Sequence, residues 1–250
     1  MVLNRETVVR IAKDVKYIIN NPIQNIFYKH DNENLTIGYA LIIGNQNTPY
    51  SNGNYLFQFI FPDNYPYEPP KLKFLTNDGS MRFHPNLYIN GKVCLSIINT
   101  WNGEGWTSCN NINSILLILS SILDNNSLTY EPGIDIQNIN VKKYNFLVSY
   151  KNIEYTIIKI IKLIDTLDEN YNYSNINDKI IILFKKEILQ NFFNNYKNIY
   201  NNLENLKNNS HNYLSNNNNI YISSYSLNFL IEFHKIKNQL DFIINKYNLL

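Results

Sequence analysis

The stretch 82–106, RFHPNLYINGKVCLSIINTWNGEGW, constrains this chain more tightly than any other part of it. Pro85 fixes its own φ and Asn90-Gly91 supplies positive φ, so two turns are prescribed on either side of a short apolar run. Behind the second turn come Val93, Cys94 and Leu95, and Cys94 is the one candidate nucleophile of the segment. Ten positions separate His84 from Cys94. That spacing allows the HPN turn to fold back and lay an amide beside the sulfur. A thiolate attacking an acyl carbon puts negative charge on the carbonyl oxygen, and the Asn86 amide is a donor of the kind that stabilises it.

Simpler roles compete at each position. A lone Cys after Val fits core packing, and Asn86 can tie its own loop through an Asx bond. His84 near Cys94 also raises a cysteine–histidine hydrolase, although no second carboxylate or amide is available to orient the ring.

Order along the chain separates these readings. Pro49-Tyr50 and Gly53 are followed by FPDNYPYEPPK at 61–71, then HPN at 84–86, GKVCLSI at 91–97, TWNG at 100–103 and EPG at 131–133. Taken together over residues 4–167 these motifs resemble the ubiquitin-conjugating enzymes. The TWNG and EPG segments are most similar to the larger members with a C-terminal helical extension. The resemblance implies an α+β ubiquitin-conjugating fold with a four-stranded antiparallel meander and flanking helices, occupying 1–167, with the helical extension at 168–250.

It also implies roles. Cys94 would accept ubiquitin or a ubiquitin-like modifier as a thioester from an activating enzyme and pass it to a substrate lysine, with or without a ligase. Asn86 would stabilise the oxyanion or hold the loop that does, in a turn shaped by His84 and Pro85. The loop 128–133 would close over the thioester. Where most relatives carry a carboxylate there, this chain has Thr129 and Tyr130 and then Glu131, so Tyr130 and Glu131 are the candidates for orienting the lysine. For Glu131 a carboxylate fixed in a pre-proline turn is the competing role. Tyr67 and Ser108 would face ligases, Ser108 standing where many relatives have Pro. Arg5, Lys13 and Lys16 would face the activating enzyme, a solvated helix face being the alternative. No metal or cofactor is needed for this chemistry. The setting would be the cytoplasm or nucleus of a eukaryotic cell or a virus-infected one. The rival function is a catalytically inactive conjugating-fold adaptor that binds ubiquitin or a ligase.

Periodicity agrees with the implied fold. Residues 4–20 place Val8, Ile11, Ala12, Val15, Ile18 and Ile19 at helical spacing, and Pro22 ends the helix. Period-two runs at 26–29, 35–43, 55–61 and 71–74 read as strands. An apolar stripe predicts a helix over 111–124, and another predicts one over 141–167. After a polar break at 168–175, two helices are expected over 181–206 and 227–247, joined by a loop or disordered segment containing Asn216-Asn217-Asn218-Asn219. Those two helices are expected to pair and dock on the catalytic domain, with a coiled-coil dimer as the rival.

Composition bounds the rest. Net charge is +2 with 17% charged residues and no Lys/Arg cluster, which argues against nucleic acid as a partner. The two cysteines, Cys94 and Cys109, form no CxxC pattern and suggest neither a disulfide framework nor a structural zinc. Cys109 lacks an HPN-like partner and reads as non-catalytic. No apolar run approaches the ~20 residues that span a bilayer, so no membrane partner is expected. Asn makes up roughly a fifth of the chain, a bias of composition rather than a fold signal.

Overall fold

A computed structural model describes residues 4–167 and 176–249. The predicted polar break at 168–175 lies outside the described residues. The chain divides into two compact units: 1–42 with 55–122, and 43–54 with 123–250.

In the first unit, helix α1 (Arg5–Asn20) starts where Asn4 accepts the Glu6 N–H at 3.1 Å, and it ends before Pro22. Its buried positions are Thr7, Ile11, Asp14 and Ile18, one face at i, i+4, i+7 and i+11. The expected apolar face is therefore corrected, for Ala12 and Ile19 are exposed. Two polar residues occupy the buried face because each is satisfied there. The Thr7 hydroxyl lies 2.7 and 2.9 Å from the Asp63 and Tyr65 carbonyl oxygens. Asp14 pairs with Arg10 Nε at 2.9 Å and accepts the Tyr65 hydroxyl.

Strands β1 (Ile26–His30), β2 (Ile37–Ile43), β3 (Asn54–Ile60) and β4 (Lys71–Phe74) form one sheet in the order β1-β2-β3-β4. Ile26 faces Ile42 and Phe57 faces Phe74 across antiparallel pairs. Strands β2 and β3 are buried along nearly their whole length, on both faces. Their sequences, IGYALII and NYLFQFI, are near-continuous apolar runs of the type that doubly covered strands require. Helix α2 (Ile112–Ser121) opens with a capping box between Asn111 and Ser114, and Ile112, Ile115, Leu116 and Leu119 are fully buried.

The second unit is built on a long helix. Helix α3 (Ile139–Lys151) runs through π-type turns at Asn152–Lys159 into α4 (Ile160–Thr166). The widened turns carry a buried polar cluster. Asn152 Nδ2 donates to the Ser51 carbonyl at 2.9 Å, Thr156 Oγ1 to Asn152 Oδ1 at 2.7 Å, and Asn54 Nδ2 to the Thr156 carbonyl at 2.8 Å. An outside donor on a helix carbonyl suits a stretch where the regular ladder is interrupted. Gly53 is required beside it, because a Cβ there would sit 1.8 Å from Asn152 Oδ1.

Beyond 175 lie α5 (Ile176–Leu183), α6 (Lys185–Asn208), a hairpin of β5 (Asn219–Ile222) and β6 (Leu227–Leu230), and α7 (Phe233–Lys246). Helices α6 and α7 pack on each other and on the 139–166 helix, so their stripes are covered within the chain. Ile188, Phe192, Ile199 and Leu203 of α6 and Ile236, Leu240 and Ile243 of α7 are all buried. The expectations of a helix beginning at 227 and of a loop or disordered linker over 208–223 are corrected at 219–230 by the hairpin. Ile220 and Ile222 alternate into the core, Asn219 pairs with Leu230, and Ser226 takes φ of 51° in the connecting turn. Leu227, Leu230 and Ile231 happen to have helical spacing but sit in and after a strand. The Asn run itself is a tight turn, with Asn218 at φ of 57°.

Candidate active site

Local backbone chemistry builds the cysteine segment as its sequence suggested. The Tyr88 N–H donates to the Lys92 carbonyl and the Gly91 N–H to the Tyr88 carbonyl, both at 2.9 Å. Gly91 holds φ of 87°, and its carbonyl accepts the Phe74 N–H at 2.8 Å, which docks the turn on β4. Behind the turn, Leu87 and Val93 bridge in antiparallel fashion, bringing 84–87 alongside 93–94.

His84, Pro85, Asn86 and Cys94 thus meet. The Cys94 N–H donates to the Asn86 carbonyl at 2.9 Å, and Asn86 Nδ2 donates to the Cys94 carbonyl at 2.5 Å. The amide is bonded to the cysteine's backbone rather than aimed at its sulfur. Cys94 is only 3% exposed. His84 is fully buried beneath the turn, and its Nδ1 accepts the Asn86 N–H at 3.0 Å. Burial, opposed only by a hydrogen bond to the Ile122 carbonyl, pushes His84 down to about 3. The ring is therefore neutral, and both nitrogens face backbone. The hydrolase reading needs a histidine hydrogen-bonded to the thiol, and this one is committed to holding the turn.

Thr100, not singled out from sequence, completes the segment. Its hydroxyl accepts the Leu95 N–H and donates to the Val93 carbonyl, each at 2.9 Å, so it clamps the backbone on both sides of the cysteine. Its place in TWNG beside CLSI was the available signal. Lys92 is exposed, with its ammonium 5.7 Å from the Tyr88 ring centre.

The expected partner-facing residues fall on the outside of the same unit. Tyr67 is 64% exposed, its hydroxyl donating to Glu6 Oε1 at 2.7 Å. Ser108 is exposed, and its carbonyl accepts Arg10 Nη1 at 2.7 Å while the Asn110 carbonyl accepts Arg10 Nη2 at 2.5 Å. Arg10, not singled out from the sequence, ties α1 to this loop. The signal was its i,i+4 relation to Asp14. Trp106 Nε1 donates to the Pro66 carbonyl at 2.6 Å, joining the loop to 62–70. Arg5 and Lys13 line a shallow groove of about 560 Å³ with Val9, Arg10 and Pro66; Lys16 is exposed outside that lining.

Tyr130 and Glu131 belong to the second unit, at the end of a 3-10 turn, Ser127–Tyr130. Burial first, then the charge of Asp124, raises the Tyr130 phenol, whose hydroxyl bonds to Asp124. The Glu131 N–H closes on the Leu128 carbonyl at 3.1 Å, and its Oε2 accepts the Tyr225 hydroxyl at 2.7 Å. Cys109 is an exposed free thiol. Among the described residues no group of three or more His, Cys, Asp or Glu is placed to hold a metal, and no helix is long and apolar enough to cross a membrane.

The sequence pattern described as "Ubiquitin-conjugating enzyme" matches residues 10–153. The ubiquitin-conjugating enzyme E2 Z of Xenopus tropicalis is 34% identical over 162 residues, 64% of this chain and 52% of that protein. The human E2 Z is 36% identical over 155 residues, 61% of this chain and 44% of that protein. This chain thus spans about half the length of the curated relatives it matches. Among solved structures, human ubiquitin-conjugating enzyme E2 G1 aligns at 28% identity with a TM-score of 0.44, covering 49% of this chain and 98% of that one. Matched across more than half of its 250 residues, this chain belongs to the ubiquitin-conjugating enzyme family.

Proposed function

We propose that Cys94 accepts ubiquitin, or a ubiquitin-like modifier, as a thioester from an activating enzyme and transfers it to a substrate lysine, with or without a ligase. The observation that carries this reading is the reciprocal bonding of Asn86 and Cys94 inside the family-matched segment. Thiol exchange replaces one thioester with another and is close to isoenergetic, so loading needs no cofactor. Transfer is the harder half, because a lysine attacks only as the neutral amine. Asn86 holds the cysteine backbone in the unloaded state, and its amide becomes an oxyanion donor on leaving the Cys94 carbonyl. Tyr130 and Glu131 orient the incoming lysine, in the loop 128–133 that the family resemblance implies closes over the thioester. The catalytic domain runs over 1–167 and the extension over 168–250. Arg5, Lys13 and Lys16 serve the activating enzyme, Tyr67 and Ser108 the ligase, in the cytoplasm or nucleus.

The test is a loading reaction with activating enzyme, ATP and ubiquitin, resolved with and without thiol reductant. A reductant-sensitive adduct should form on wild type and Cys109→Ala and vanish with Cys94→Ala. If no adduct forms with any of a panel of activating enzymes and modifiers, the enzyme reading fails and the inactive adaptor takes its place.

A further inference from the structure

The second unit carries a groove that the chemistry proposed for Cys94 does not use. Its volume is about 700 Å³ and every residue lining it belongs to that unit, a size within the range of ligand sites. Helix α6 forms one wall and α3 with residues 46–52 another, and the buried side chains of Phe146, Ile153 and Ile199 lie behind them. We propose that this groove binds an extended, uncharged peptide segment of another protein, holding its main chain through a row of asparagines on α6. The inference goes beyond thioester chemistry and needs none of it.

Asparagine makes up roughly a fifth of the chain but about half of the groove's lining, so the bias of composition does not by itself account for it. On α6, Asn198, Asn201, Asn202 and Asn205 recur three and four apart and therefore share one face. None of these four side chains is hydrogen-bonded to another described residue. Asn is a weak helix former, so the row costs helix stability and gains no internal bond in return.

Each primary amide offers two N–H donors and a carbonyl acceptor, the complement of a peptide unit's C=O and N–H. The spacing also fits. Residues four apart on a helix are separated by about 6 Å along its axis, and an extended chain turns its bonding groups to the same side every two residues, about 6.7 Å. From Asn198 to Asn209, which also lines the groove, is about 16 Å of helix, enough for about five extended residues.

The facing wall is held in place and still has an acceptor to offer. Asn145 Nδ2 donates to the Asn125 carbonyl at 2.7 Å, and Asn125 Nδ2 to the Asn47 carbonyl at 3.0 Å. The buried Asn145 Oδ1 has no donor among the described residues, a deficit that an incoming N–H relieves. Lys142 is the one charged residue in the lining, so a highly charged ligand finds little to neutralise it. A sugar needs an open aromatic face. The Tyr213 ring lies against Phe146 instead, with centroids 4.9 Å apart.

The experiment screens the full-length protein on an array of acetylated, amidated seven-residue peptides without charged side chains, beside an array of neutral oligosaccharides. The best peptide is then titrated in solution by fluorescence polarisation. Wild type should bind, and the double variant Asn202→Ala with Asn205→Ala should bind about tenfold more weakly, having lost two hydrogen bonds. Ala is the better helix former, so these substitutions preserve α6. Asn194→Ala, exposed on the same helix and outside the groove, should bind like wild type. N-methylation of the peptide's main chain should abolish binding, whereas exchanging one uncharged side chain for another should change it only slightly. The inference is overturned if wild type binds no peptide better than the double variant does, if N-methylated peptide binds equally well, if Asn194→Ala loses as much as the double variant, or if only oligosaccharides bind.

Discussion

The Asn86 amide and Cys94 bond each other through the backbone: Nδ2 reaches the Cys94 carbonyl at 2.5 Å, and the Cys94 N–H reaches the Asn86 carbonyl at 2.9 Å. Asn86→Ala removes the donor and leaves a partly buried carbonyl unpaired. Transfer from Cys94 should fall about a hundredfold or more, the scale of losing an oxyanion donor, with stability lower by roughly 1–3 kcal/mol. Single-turnover discharge and urea unfolding read the two effects separately. Unaltered discharge would show that the amide serves only the turn.

His84 makes the fold acid-sensitive. Its folded value lies near 3, whereas a histidine in the unfolded chain titrates near 6.5. Below about pH 6.5 the unfolded state binds a proton that the folded state refuses, so stability falls as pH drops from there toward 3. At pH ~5 the loss is on the order of 2 kcal/mol. Replacing the ring with an amide, His84→Gln, should flatten this limb even if it lowers stability overall. Denaturant midpoints at neutral and acid pH measure it, and parallel slopes for the two proteins would contradict the assignment.

Arg10 serves a partly buried carboxylate and two loop carbonyls at once. Removing it with Arg10→Ala leaves Asp14, 7% exposed at its side chain, without its cation. The expected cost is about 3 kcal/mol. Arg10→Lys should recover only part of it, because an ammonium cannot reproduce the guanidinium fork. Thermal or chemical unfolding gives the answer directly.

Gly53→Ala tests the polar cluster at the π-type turns. The new Cβ would fall 1.8 Å from Asn152 Oδ1 and 2.5 Å from Thr156 Oγ1, both buried and bonded. Overpacking of this kind costs about 1–3 kcal/mol. A melting temperature equal to wild type would mean that Asn152 and Thr156 move aside freely.

Much of the fold was legible because local rules and packing demand agree there. The runs at 26–29, 35–43, 55–61 and 71–74 are strand-like on their own, and all four strands appear within a residue or two of those bounds. The 208–230 region was misread because Leu227, Leu230 and Ile231 satisfy a helical spacing as well as a strand's. Pairing of Asn219 with Leu230 and burial of Ile220 and Ile222 against α3 settle that ambiguity, and neither is a local property. The Asn bias also acquires a use that composition alone does not disclose. Asn25, Asn47, Asn52, Asn99, Asn218 and Asn248 all hold positive φ, the region Asn tolerates better than other side chains do.

By itself the sequence determined the two turns around Cys94, since Pro85 and Asn90-Gly91 restrict the backbone before any packing occurs, and it determined the order of motifs that carries family membership. Tertiary structure decided what the polar side chains do. Whether Asn86 points to sulfur or carbonyl, whether His84 is a base or a buried strut, and what Glu131 meets are set by neighbours distant in sequence. The hydroxyl of Tyr225 lies 94 positions from the carboxylate it holds. No spacing rule reaches that far, because hydrogen-bond partners are chosen by where folded elements bring them.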